Sequence, residues 1–388
     1  MTRTDAQVPA ELFRRARELY DALHALAEPS GEEAATAALV ADIVAGLGAT
    51  VRTGIGGHGV VAVIDRGPGP VVWARAELDA VGHHSRPSGP GRAGTGAEHL
   101  CGHDLHLAAW WAAAAYVCER SWSGTLVLVA QPAEESLTGA QAMVADGLGS
   151  LVPEPDVLLA QHVAIMPSDM IATFPGQVTS AHVECTVAVP EGDRAEDFDA
   201  ICPTAGAHTF WSVTEPGRTT LAARFTDVEA ARRCLAHLRS WAGPRCVRSR
   251  LVPPLHNEAS LAAAVAEGLR RGLPRHVVRD LGPMTSAEDL GDLSGAPPQR
   301  PAPVVYWLFG GIDPRRWSAA GGENFWETTR AFAPLHDPRV NLDVDQALRT
   351  AIGAMGSAIE HAFATLGSRA EAHNTLAGSA GPTERTRP

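Results

Sequence analysis

The sequence predicts an α/β fold: a two- or three-layer domain built on a mostly parallel sheet, with a small α+β unit inserted in it. Three observations predict this. Strand-like apolar runs alternate with helical ones, as in GTLVLVAQP at 124–132, TGAQAMVADGL at 138–148 and DVLLAQHV at 156–163. Such alternation builds a parallel sheet covered by helices. The 388 residues exceed a typical single domain, so two domains are expected. Residues 182–250 then change character, with strand-like HVECTVAVP and TTLAARF preceding the helical VEAARRCLAHLRSWA. The expected division is a main domain over 1–181 and 251–366, an insert over 182–250, and a polar, disordered tail over 367–388.

Leucines and alanines at helical spacing over 10–27 predict an amphipathic helix. SGEE at 30–33 has the form of a capping box, Ser30 capping and Glu33 reaching back, ahead of a second helix that glycine stops near Gly46. GVVAVID at 59–65 and PVVWARAEL at 70–78 read as strands separated by Gly-Pro turn residues. HHSRPSGPGRAGTGAE at 83–98 is a polar loop, in which His83 and His84 are expected to face solvent. LHLAAWWAAAAYVCE, 105–119, is apolar enough for a buried helix, and its Trp110 and Trp111 suit core packing better than a substrate pocket. After PPLHNE at 253–258 come a helix at 260–272, the strand VVYWLFGG at 304–311, a loop with APLHDP at 333–338, and a last helix over about 343–366.

Composition excludes several functions. Hydrophobic content of 45% and charged content of 20% are ordinary for a globular protein. A net charge of −12 opposes nucleic-acid binding, which needs a basic face. No apolar run approaches the ~20 residues that span a bilayer. MTRTDAQVPAELFRRARELY lacks the apolar core of a signal peptide, and six scattered cysteines fit reduced thiols better than a disulfide framework. A cytoplasmic location is the expectation.

The chemistry concentrates in two stretches. HLCGHDLH, 99–106, packs His99, Cys101, His103 and His106 together, and QPAEE, 131–135, places Glu134 and Glu135 after an apolar strand. Thiolate, imidazole and carboxylate all ligate zinc-like metals. A second glutamate beside a ligand suits a general base in metal-assisted hydrolysis. Glu134, Glu135 and His162 fall at predicted strand ends, where sites form in such sheets. His208 and His256 have no evident partner and are read as structural. A GxSxG elbow, a phosphate loop and a dinucleotide fingerprint are all missing, which removes the main rival mechanisms.

Together these stretches resemble the metal-dependent aminoacylase/carboxypeptidase family, in the amidohydrolase branch with hippurate hydrolases and indole-acetyl-amino-acid hydrolases. That branch shows RADMDAL, HACGHDGH, QPAEEGGGGA, LHV and LHSP in order. Here RAELDAV (75–81), HLCGHDLH (99–106), QPAEESLTGA (131–140), QHV (161–163) and LHDP (335–338) stand in the same order, and SAEDL (286–290) is similar to the family's SEDF. The resemblance implies two divalent cations (zinc, manganese or cobalt) held by Cys101, His103, Glu135, His162 and His336. It implies Glu134 as catalytic base, Asp79 orienting a ligand imidazole, and a small-molecule amide as substrate. Hydrolysis of an N-acyl amino acid or dipeptide is the leading expectation; a narrow biosynthetic reaction and a non-catalytic binding protein are the alternatives. Departures include Glu77 for Asp, Gly82 for Pro, Leu105, and an insert too short for the family's GGHAAxPH and NVIP segments, with Trp211 near the expected asparagine. A monomer, or a dimer not built on the usual lid interface, follows from that short insert.

Overall fold

The computed structural model describes residues 8–82, 96–189, 207–215, 217–295 and 301–379. His83 and His84 lie outside them. Twelve strands are described: β1 (Thr50–Ile55), β2 (Gly59–Asp65), β3 (Val71–Glu77), β4 (Thr125–Gln131), β5 (Val157–Pro167), β6 (Met170–Thr173), β7 (Ala181–Ala188), β8 (Ala207–Glu215), β9 (Arg218–Phe225), β10 (Cys246–Val252), β11 (Val277–Asp280) and β12 (Val304–Ile312). Eight form one sheet in the order β1-β2-β4-β3-β5-β12-β6-β11. Its centre is parallel, β4, β3, β5 and β12 running together, with antiparallel pairs toward the edges.

The sheet is buried on both faces, so its central strands read as unbroken apolar runs. Alternation still sorts the side chains. Leu126, Leu128 and Ala130 of β4 join a core with helices Ala10–His24, His103–Cys118 and Val344–Ser379. Val127 and Val129 point the other way, toward Trp73, Met143 and Leu290. Three layers result. Trp110 and Trp111 are core residues, their indole N–H groups donating to the carbonyls of Ala74 (2.8 Å) and Ile43 (3.2 Å).

The remaining four strands form a separate antiparallel sheet, β10-β7-β9-β8. Helix Val228–Ala242 covers one face, packing on Val183, Cys185, Leu221, Ala223 and Phe225. Because side chains alternate, the other face carries His182, Glu184, Arg224, Trp211 and Arg250, brought into register by the β7–β9, β8–β9 and β10–β7 ladders. That polar face is turned toward the large sheet: Arg224 donates to Thr285 O (3.3 Å), and Arg250 to Ser136 O and Leu137 O (2.7 Å each).

Several expectations are corrected. The final helix is Val344–Ser379, so residues 367–379 are helical and not a disordered tail. Arg369, Ala370, Glu371 and Ala372 are strong helix formers, and the first Gly-Pro pair after them comes only at Gly381 and Pro382. β5 does not end on His162 but runs to Pro167, because β12 pairs with it along its length. The capping box does not form: Glu33 is itself the N-cap residue, and its carboxylate accepts from Gly31 N and Ala133 N instead. Among the described residues, Cys101, Cys118, Cys185 and Cys246 are free thiols. Among the described residues no helix is long and apolar enough to cross a membrane.

Candidate metal centre

The site lies at the carboxyl ends of β3 and β4 and beside His162, midway along β5. Gly102 sits in the left-handed region (φ +91°), and a Cβ there would lie 2.6 Å from Val163 Cγ1. Glycine therefore lets the chain turn tightly against β5, with Cys101 before the turn and His103 starting helix His103–Cys118. Glu134 and Glu135 ride on the turn after β4. In it two non-glycine residues, Ala133 (φ +50°) and Leu137 (φ +52°), adopt left-handed conformations. Thr138 N and Gly139 N both donate to Ala133 O, closing the turn.

The structure brings together every residue expected at the site. Cys101 Sγ lies 3.4 Å from His162 Nε2. His103 Nε2 lies 3.5 Å from Glu134 Oε2 and 3.8 Å from Glu135 Oε1, and His336 Nε2 lies 3.2 Å from Glu135 Oε1. Ligand atoms of Cys101–His103–His162, of Cys101–Glu135–His336 and of His103–Glu134–Glu135 each fall within 4.8 Å of one another. His336, at φ +71°, is anchored by its backbone N–H to Leu100 O (3.0 Å).

Imidazole tautomers are set from outside. His103 Nδ1 donates to Asp79 O (2.8 Å) and His162 Nδ1 to Val163 O (2.7 Å), so each Nε2 lone pair faces the centre. Asp79 Oδ2 accepts from Ser30 Oγ (2.6 Å) and Glu135 N (2.9 Å). His103 Nε2 and Glu135 Oε1 are buried without a hydrogen-bond partner. Buried polar atoms are seldom left so. Two unpartnered donor atoms beside a thiol and two further imidazoles are what a divalent cation would satisfy, and the donor set of S, N and O suits zinc, manganese or cobalt.

Charges are pushed apart. Burial, and then Glu288 nearby, raises the Glu134 carboxyl well above its usual range against the pull of His103. Burial acts upward on Glu135 too, but His336 and His103 outweigh it and hold that carboxyl at about 2. Behind Glu134 lies a buried network that the sequence did not reveal. Arg75 pairs with Glu77, with Glu288 (2.9 Å) and with Asp289 (3.5 Å). Glu77 in turn receives His106 Nδ1 (2.9 Å), whose Nε2 accepts from Val163 N (2.9 Å). His106 is thereby a brace for β5 beside His162. His99 is buried with both ring nitrogens unpartnered, yet belongs to none of the close ligand clusters.

Arg224 was also missed. Burial lowers its pKa, opposed by the charges of Glu134, Glu135 and Cys101. It lies 5.1 Å from the Trp211 ring centroid, and its Nε is buried and unpartnered. A cation at an alternate position of TTLAARF, on the face away from Leu221 and Ala223, was the only available signal.

Known proteins fit this arrangement. A hippurate hydrolase from Campylobacter jejuni is 37% identical over 128 residues, 32% of this chain and 33% of that protein. An indole-3-acetyl-aspartic acid hydrolase from Enterobacter agglomerans is 38% identical over 117 residues, 27% of this chain and 26% of that protein. The chain spans about half or less of the length of the curated relatives it matches. The crystal structure of the Bacillus subtilis YXEP protein, described as a dinuclear metal binding peptidase from the M20 family, superposes with a TM-score of 0.61 at 19% identity, covering 91% of this chain and 99% of that one. A family model describing peptidase family M20/M25/M40 matches residues 73–328, and with the fold and these motifs in hand the chain belongs to that family.

Proposed function

We propose that this chain is a metal-dependent amidohydrolase that cleaves the amide bond of an N-acyl amino acid or a similar small amide or dipeptide. Cys101, His103, Glu135, His162 and His336 hold two divalent cations, and Glu134 is the general base. The observation that carries the reading is the convergence of these side chains with His103 Nε2 and Glu135 Oε1 buried and unpartnered. When bound, the cations supply Lewis-acid polarisation of the carbonyl and lower the pKa of water.

The chain's own groups do the rest. Asp79 fixes the turn through Glu135 N, while its backbone carbonyl fixes the His103 tautomer. Glu134 is placed to take a proton from the attacking water and return it to the leaving amine. Arg224, on the polar face that the small sheet turns toward the large one and with its Nε buried and unpartnered, is suited to the carboxylate of the amino-acid part of the substrate. The named activities of the relatives, on hippurate and indole-3-acetyl-aspartic acid, have this same form: an aromatic acyl group on an amino acid bearing a carboxylate.

Replacing Glu134 by Gln keeps the shape and removes the base. Turnover of N-benzoylglycine is expected to fall about 10²–10⁴-fold, with metal content unchanged by elemental analysis. Wild-type turnover in that variant sinks the assignment, and a metal-loaded wild type that hydrolyses no N-acyl amino acid favours a binding protein.

A further inference from the structure

Where the small sheet returns to the main domain, Arg250 near the end of β10 forks over the turn that carries the two glutamates. Its Nη1 donates to Leu137 O (2.7 Å), and its Nη2 to Ser136 O (2.7 Å) and to Glu184 Oε2 (2.7 Å). Glu184 is also paired with Arg248. Side-chain exposure is 18% for Arg250 and 11% for Glu184, so these are interior contacts. A guanidinium meant only to neutralise Glu184 would have no reason to spend a donor on each of two successive carbonyls.

The turn it holds is strained. Leu137 sits at φ +52°, a left-handed conformation that disfavours residues with a side chain. None of Ser136, Leu137 and Thr138 is glycine. Without glycine the turn needs an outside constraint. Glu33 supplies one at its start, accepting from Ala133 N (2.8 Å), and Asp79 a second, accepting from Glu135 N (2.9 Å). Arg250 supplies the third, and it alone comes from the small sheet.

We infer that Arg250 is a positioning residue that keeps the 133–138 turn in its strained form, so that the small sheet sets the placement of Glu134 and Glu135. This rests on the hydrolase reading above for its kinetic consequence, but not for its metal-binding consequence, since Glu135 is a proposed ligand.

The test uses full-length wild type, R250A, R250K, L137G and the double variant R250A/L137G. Co²⁺ affinity is read by calorimetry, and kcat and KM on N-benzoylglycine. In R250A, affinity for the weaker Co²⁺ equivalent and kcat are each expected to fall about 10–100-fold, with KM within about threefold. Low-millimolar guanidinium chloride restores part of both. In the L137G background glycine tolerates the left-handed conformation unaided, so the effect of removing Arg250 shrinks by about tenfold. R250K keeps the charge against Glu184 but lacks the fork, and is expected to lose an intermediate amount. It decides the question if R250A fails to fold.

Wild-type Co²⁺ affinity and kcat in R250A or R250K overturn the inference. So do losses that are equal in both backgrounds and unmoved by guanidinium, which would leave Arg250 a structural bridge. A wild type that binds Co²⁺ but cleaves nothing defeats the hydrolase reading alone, and the Co²⁺ comparison still decides the role of Arg250.

Discussion

Glu134 and Glu135 are adjacent in sequence and opposite in character. Glu135 faces His336 and His103, which hold its carboxyl at about 2, a ligand's condition. Glu134 faces Glu288 and is pushed upward, the condition of a group that accepts and releases protons. In the proposed function Arg224 takes the substrate carboxylate. Replacing it with Ala should raise KM for N-acyl amino acids about 10–100-fold, the loss of a charge-assisted hydrogen bond, while matching substrates with an amidated carboxyl terminus change little. Equal losses on both would show that Arg224 does not read the carboxylate. Cys101, His103, Glu134 and Glu135 were legible in the sequence because they crowd two short stretches beside apolar runs. Arg224 and Arg250 were not. Their positions depend on which strands pair, and in what register, within the small sheet.

The elements around the site are shaped by it. Ser30 and Glu33 have the spacing of a helix cap, yet their side chains serve Asp79 and Ala133 N. A local motif yielded to a distant partner, since a buried N–H left unpaired costs about 1–3 kcal/mol. Glu33→Ala should therefore destabilise the fold by at least that much, measurable by urea unfolding, and a change within about 0.5 kcal/mol would show the turn is held elsewhere. Next to His103, His24 Nδ1 lies 2.6 Å from Asp104 Oδ2, joining helix Ala10–His24 to helix His103–Cys118. The hydrogen bond to Asp104 raises the His24 pKa against desolvation. Stability from this pair is thus fully present below the ordinary histidine pKa and is lost as pH rises through the elevated one. His24 is 55% exposed, so solvent screening limits the effect to about 1 kcal/mol or less. His24→Ala should destabilise at pH 5.5 and be nearly neutral at pH 9; the reverse order would contradict the pairing.

At the scale of the whole molecule, a three-layer domain gathers the proposed ligands around the ends of β3 and β4 and the middle of β5, and a four-stranded sheet turns its polar face toward the same side. The large domain was legible because period-two and helical patterns repeat along it. β1 and β11 were not, being edge strands with few apolar residues, and β6 was too short at four residues to show a period; nor were β8 and β10, edge strands of the small sheet whose exposed, polar residues break the pattern. The fold supplies the frame, and the proposed chemistry depends on the metals. Metal content per chain should be measured on wild type and Cys101→Ala purified without chelator and reconstituted with Zn²⁺, Mn²⁺ or Co²⁺. About two equivalents in the wild type, falling sharply in the variant, are predicted. No stoichiometric metal in the wild type after reconstitution would contradict the account, leaving the ligand motif without its chemistry.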